Sequence, residues 1–355
     1  MAQRKNFDWV DTIRVFSTLS IIVFHYACVL TENPHLQNVV INFIFGINHF
    51  GVAAFFGISG YLVVNSLDHS KDVWDFYRRK IVRIVFPFTA TYIIAVVIVL
   101  LNPNFPPLPI MSIIVGLFPF DVNITKFFNI PHLFLVGEWF IGTIILLYLV
   151  APLIYKFLRL NVPLTMIAVI AISCFSIDFF MPFQLQERIL NVQMLAIVRM
   201  PEFVTGMVLF LYRDKIFSRQ SQILALVLTF AMVLYSGFSN FPTTNIWAKY
   251  FFGIDTNLHL ILALMLSIYL SFIIADLANK YCKKIMAFFN GYKDISYTVI
   301  LVHHLLIYKI VAFFGANDLK PLSSIMVLIL ITVVVLIVAT IVRKIYAPIE
   351  KKLLG

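Results

Sequence analysis

The chain has 355 residues, 61% of them hydrophobic and 12% charged, with a formal net charge of +10. A soluble domain carries about a quarter charged residues, and a single core of this size could not hide so much apolar surface. A water-soluble globule is excluded, and lipid must act as part of the solvent. The basic balance would suit nucleic acid, but its placement along the chain reads as membrane topology, so no nucleic-acid partner is expected.

A helix needs roughly 20 mostly apolar residues to cross the hydrocarbon. In chain order, candidates lie near 12–31, 49–66, 82–101, 138–157, 162–181, 191–211, 222–238, 257–277, 295–314 and 322–342. The expected fold class is an all-α, polytopic integral membrane protein of about ten transmembrane helices, forming one domain over 1–355. The first stretch holds Arg14 and is followed by no small-residue cleavage pattern, so it reads as a retained helix and not a signal peptide. The run Pro109–Phe120 is too short to span and reads as a re-entrant or interfacial piece.

Lys and Arg set the orientation. With the N-terminus placed in the cytosol, twenty of the 27 fall on inner segments; four (Lys126, Arg188, Lys249, Lys320) fall on outer ones and three (Arg14, Arg199, Lys309) within spans. Both termini are therefore expected to be cytosolic. Cys28, Cys174 and Cys282 share no metal or redox spacing, so neither a disulfide nor a metal is expected.

No loop is long enough to fold alone, so any chemistry must use the embedded helices. In the first, Arg14 and His25 are eleven residues apart, close to three turns, which puts both on one face with roughly 16 Å of rise between them. Ionisable groups inside a span by default face a cavity, and imidazole is the natural base for a hydroxyl proton. The residues alone leave a second reading, in which Arg14 snorkels to lipid phosphates and His25 is a buried structural histidine. The cluster Arg78, Arg79, Lys80 and Arg83 offers guanidinium forks for phosphate oxygens, or simply anchors the inner end of a span. Arg199 and Glu202, three apart beside Pro201, read as an internal ion pair that shapes the cavity. His303 and His304 are adjacent, so they point about 100° apart and at most one is expected to face the cavity with His25. Glu138 and Trp139 open the fourth span at the outer rim, where they could meet a sugar or simply be solvated. Ser59–Gly60 reads as close helix packing.

The stretch Phe7-Asp8-Trp9-Val10-Asp11-Thr12-Ile13-Arg14, then ten residues and His25, resembles the opening of the acyltransferase family 3 membrane proteins, marked by Arg-x10-His. Four later segments agree in order: Gly51–Tyr61, Phe76–Arg83 with Pro87-Phe88, Arg199–Gly206 and Ser296–His304, in which His303 takes the motif position. The resemblance implies O-acyl transfer, usually O-acetyl, from acyl-CoA to a cell-envelope carbohydrate. On it, His25 would be the catalytic base and Arg14 a donor-binding or orienting residue. Arg78, Arg79 and Arg83 would hold the CoA phosphates, with Glu138, Trp139, Arg199, Glu202 and His303 in substrate-binding or supporting roles. Many relatives add an SGNH-type domain; this sequence resembles the stand-alone branch that acylates polysaccharides or lipid-linked sugars, in a multi-pass protein of a bacterial plasma membrane. The rival from another class is a transporter or flippase for a glycan or lipid-linked sugar. Against it, no paired broken helices recur in matching halves.

Overall fold

The computed structural model describes residues 8–30, 33, 39–101, 109–132, 136–238, 257–315 and 319–354, with backbone only at 39–50, 138, 229–238, 257, 259 and 260. Among the described residues there is no strand. The elements are α1 (Asp8–Val29), α2 (Val39–Asp68) and α3 (Val73–Leu100), then two short helices, α4 (Ile110–Gly116) and α5 (Val122–Phe127). Next come α6 (Glu138–Leu160), α7 (Val162–Leu185), α8 (Ala196–Leu211), the single turn α9 (Arg213–Ile216) and α10 (Arg219–Phe238). The chain ends with α11 (Asn257–Tyr281), the short α12 (Lys283–Asn290), α13 (Ser296–Phe314) and α14 (Pro321–Leu354).

Eight of these helices are long and apolar enough to cross a membrane: α1, α2 from Gly51, α3, α6, α7, α11, α13 and α14. Their outward faces carry large apolar side chains in the open, such as Phe175 and Phe179 on α7 and Ile329, Ile337 and Ile341 on α14. Apolar area on this scale is tolerable only against hydrocarbon. The chain is an all-α polytopic membrane protein. Two stretches expected as spans differ from the eight. The 191–211 stretch breaks into a 3₁₀ turn at Val192–Met194 and the 16-residue α8. The 222–238 stretch coincides with α10, whose side chains from 229 onward lie outside the described residues. The Pro109–Phe120 run holds only the seven-residue α4, with Ile110, Met111 and Ile114 exposed.

The helix starts follow local chemistry. Asp8 and Asp11 lie in the first turn of α1, where the helix dipole favours anions. Asp72 caps α3 by accepting from the Asp75 amide at 2.7 Å. Asn161 caps α7 by accepting from the Leu164 amide at 3.0 Å, with Pro163 in the first turn, where a missing N–H costs nothing.

At the centre, α2 and α8 cross with their backbones in contact. A Cβ at Gly60 would overlap the Phe203 carbonyl, and one at Gly206 would overlap the carbonyl of Gly57. Without a hydrophobic drive between helices in lipid, such close van der Waals fit holds them together. This is why small residues recur in both segments. α1 packs against α2, α11 and α13. Its start is pinned by Trp9, whose ring lies 4.9 Å from that of Tyr61 and 4.6 Å from Phe272. Asn279 on α11 donates to Thr12 Oγ1 at 2.7 Å, and that hydroxyl donates to Asn290 Oδ1 on α12 at 2.9 Å. α1 is thereby fixed in rotation, which decides what Arg14 and His25 face.

Candidate active site

At the basic end of the bundle, α1, α2, α3, α6, α13 and α14 enclose a cavity of about 290 Å³. Five cations line it, each from a different turn of the fold: Arg14, Lys80, Arg83, Lys293 and Arg343. Three of them have carboxylate partners. Asp11 takes both Arg14, at 3.2 Å, and Lys293, at 2.9 Å, and Glu350 pairs with Arg343. Asp11 beside it holds the Lys293 ammonium above the ordinary lysine range. Lys80 and Arg83 have no ion-pair partner among the described residues. The Lys80 ammonium lies 4.5 Å from the Tyr148 ring and 5.5 Å from that of Phe76, a cation–π setting that leaves its charge uncompensated. The far wall is apolar, made by Phe55, Phe140, Ile141 and Ile300.

Ile300 marks where the cavity meets a second feature. One turn further along α13, the His303 ring lies 4.9 Å from that of His25, and the His304 ring lies 4.6 Å from it. Neither of the adjacent histidines lines the cavity, where at most one is expected, yet both rings lie against His25. The His303 and His304 rings lie 5.9 Å apart, so the three imidazoles form a triangle. His303 Nδ1 lies 2.8 Å from the Ile300 carbonyl and 3.1 Å from that of Val299. A carbonyl only accepts, so Nδ1 carries the proton and Nε2 keeps the lone pair. His25 itself is not among the residues lining the cavity. The two features are stacked along α1 and α13: a cationic cavity around Arg14, and a histidine cluster beyond its apolar wall.

Residues 7–344 match the acyltransferase-domain model of acyltransferase family 3. The chain belongs to that family. It is a membrane acyltransferase. Neither the curated proteins nor the solved structures give a match.

The fold distributes the other predicted site residues of this acyltransferase unevenly. Arg83 lines the cavity, but Arg78 and Arg79 do not. Both turn to Asp75, at 3.8 Å and 2.8 Å, and the Arg78 side chain is 56% exposed. A π-turn at Ile81–Val85 falls within the basic cluster, so the regular α-helical phase that would align Arg79 with Arg83 is interrupted there. Lys80, expected only to flank the arginines, takes the inward position.

Glu138 and Trp139 open α6 next to α13. Gly137 packs so closely against the Ile300 carbonyl that a Cβ would collide with it. The start of α6 therefore lies beside Ile300 of the cavity's apolar wall. Trp139 is partly buried against the core, and the Glu138 side chain is outside the described residues, as is Phe7. Arg199 and Glu202 form a buried ion pair at 2.7 Å, and Arg199 Nε donates to the Gln193 carbonyl at 2.6 Å. Neither touches the cavity.

Four charged lining groups escaped the sequence reading as site residues: Lys293, Asp294, Arg343 and Glu350. A signal for the last two was present. Arg343, Tyr346 and Glu350 are spaced three and four apart and share one face of α14. Tyr346 anchors that face through a 2.6 Å bond with Thr298 on α13. Ser59 lines the cavity while its neighbour Gly60 packs against α8, so the dipeptide serves both a site and a helix contact. No group of three or more His, Cys, Asp and Glu among the described residues is placed to hold a metal ion.

Proposed function

We propose that this acyltransferase moves an acyl group, an acetyl group in the simplest case, from cytosolic acyl-CoA to a hydroxyl of a cell-surface polysaccharide or lipid-linked sugar. His25 is the general base. The observation that carries the reading is the pair of uncompensated cations, Lys80 and Arg83, inside a cavity that α1 lines at Arg14 and whose wall at Ile300 lies one turn of α13 before His303, beside His25. Two unpaired cations facing one volume favour a multiply charged anion, and the phosphates of a CoA thioester supply it. Arg14, held by Asp11, stands between phosphates and thioester and orients the donor arm. The alternation of Lys and Arg along the sequence supports ten crossings with both termini cytosolic, which opens this end of the bundle to the cytosolic donor pool. The plasma membrane of a bacterium is the setting that fits an envelope-glycan acceptor.

In the reaction, the acceptor hydroxyl gives its proton to an unprotonated nitrogen of His25 as its oxygen attacks the thioester carbonyl. The C–S bond then breaks, and the leaving thiolate takes the proton back from the imidazolium. His25→Ala, in membranes where the protein inserts at the wild-type level, should lower acyl transfer by roughly 100- to 10,000-fold, the usual contribution of a positioned base. The measurement is radiolabel passing from acetyl-CoA into membrane carbohydrate. Near-normal turnover would remove His25 from this role.

A further inference from the structure

Resting on that reading of His25, we infer that His303 is its positioning residue: the Nε2 lone pair of His303 accepts the second ring N–H of His25 and so fixes which His25 nitrogen is free to take the acceptor's proton. Three observations converge. The first is that the tautomer of His303 is not free. Its Nδ1 lies between the carbonyls of Ile300 and Val299, at 2.8 and 3.1 Å, and both demand a donor. The second is that Nε2 is buried with no partner among the described residues, in a side chain only 3% exposed. A buried acceptor left alone is costly, and structures keep one where something is to be bound or held. The third is proximity, because the His25 ring is 4.9 Å away.

The arrangement follows from the helices. α13 presents His303 one turn beyond the cavity wall at Ile300, and the polar pegs at Thr12 fix the rotation of α1 that brings His25 alongside. The bond forms when the His25 ring turns its N–H toward Nε2. One His25 nitrogen then donates to Nε2 throughout the cycle, while the other accepts the hydroxyl proton and later returns it to the thiolate. No proton is passed to His303. Its contribution is to hold the imidazole in one tautomer and to strengthen its hold as the ring becomes cationic, the task an acceptor performs behind many catalytic histidines.

The test compares three substitutions in membranes carrying the full chain, with acetyl-CoA as the labelled donor and membrane carbohydrate as acceptor. His303→Leu removes the acceptor, His303→Gln puts an amide oxygen near the Nε2 position, and His303→Asn puts one near Nδ1. The expected result is a maximal rate about 10- to 100-fold lower for His303→Leu, the range spanned by one hydrogen bond to a group that becomes charged. The KM for acetyl-CoA should stay within about twofold, and His303→Gln should recover most of the rate. Should the leucine variant fail to insert, Gln against Asn carries the test: the first should be at least about 10-fold faster. Equal rates for Gln and Asn, or a normal rate for Leu, overturn the assignment. His25→Ala separates the two claims. An inactive His25→Ala beside a fully active His303→Leu removes only the positioning role, whereas an active His25→Ala removes the base itself.

Discussion

Two places in this bundle hold charge inside the apolar layers, and they are opposites. In α8, Arg199 and Glu202 face each other at 2.7 Å, each about 95% or more buried, with the guanidinium also donating to the Gln193 carbonyl. Around Arg14, five cations from four segments surround an open volume, and two of them have no carboxylate of their own. In the sequence both places read alike, as expensive ionisable groups in a span. The difference is where the compensating charge comes from. α8 brings its own, so the pair serves the fold. The cavity's carboxylates, Asp294 and Glu350 with Asp11 beside Arg14, are fewer than its cations, and Lys80 and Arg83 have no partner among the described residues. An intramembrane charge is a sign of a site only when its sign is left unmatched beside open space.

The sharpest way to break this comparison is to unpair α8. Arg199→Leu leaves the Glu202 carboxylate buried without its cation and should destabilise the protein by about 3–5 kcal/mol, enough to prevent accumulation in membranes. Adding Glu202→Leu should restore the folded level, because a buried pair replaced by apolar side chains of similar volume is often neutral or stabilising. Thermal aggregation of the detergent-extracted protein reads both. Transfer activity that falls in the double variant, at full folded level, would move this pair from the fold to the chemistry.

The sequence carried the helices because lipid leaves the chain so few alternatives. The long apolar stretches could only be spans, and the spacing of Arg14 and His25 within one helix fixed their relation without knowledge of any neighbour. What it did not carry depends on closure between distant segments. Lys293, Arg343 and Glu350 look like ordinary anchors at helix ends until α13 and α14 fold back against α1 and α3. Arg78, Arg79 and Arg83 form one cluster in sequence, but Asp75 draws two of them away and a π-turn intervenes before the third. Gly137 lets the start of α6 sit against Ile300, a contact no local pattern announces. That the rings of both His303 and His304 lie against His25 depends on how α1 packs beside α13, again a matter of closure.

A smaller effect, of opposite character, is expected from the cavity. Lys80→Met and Arg83→Gln remove cations that oppose nothing but each other, so the folded protein should lose no stability and could gain some as like-charge repulsion is relieved. Donor binding should suffer instead. Each substitution should raise the KM for acetyl-CoA about 10-fold or more, the worth of one charge-assisted hydrogen bond, with the rate at saturation little changed. Lower stability with an unchanged KM would make these residues anchors and return the cavity to the same class as α8.

The smallest effect sharpens the boundary of the site. Arg78 is separated from Arg79 by one residue step and from Lys80 by two, yet its side chain is 56% exposed and reaches Asp75 only at 3.8 Å, behind Arg79 at 2.8 Å. An exposed pair of this kind contributes little. Arg78→Ala should change stability by less than about 0.5 kcal/mol and the KM for acetyl-CoA by less than about twofold. Placed beside Arg83→Gln in the same donor titration, it asks whether charge alone at this end of the bundle attracts the donor or whether the charge must face the cavity. If Arg78→Ala raised the KM as much as Arg83→Gln does, the phosphates would be held on the open surface by a diffuse basic patch, and the distinction between lining and flanking cations would have no consequence for binding.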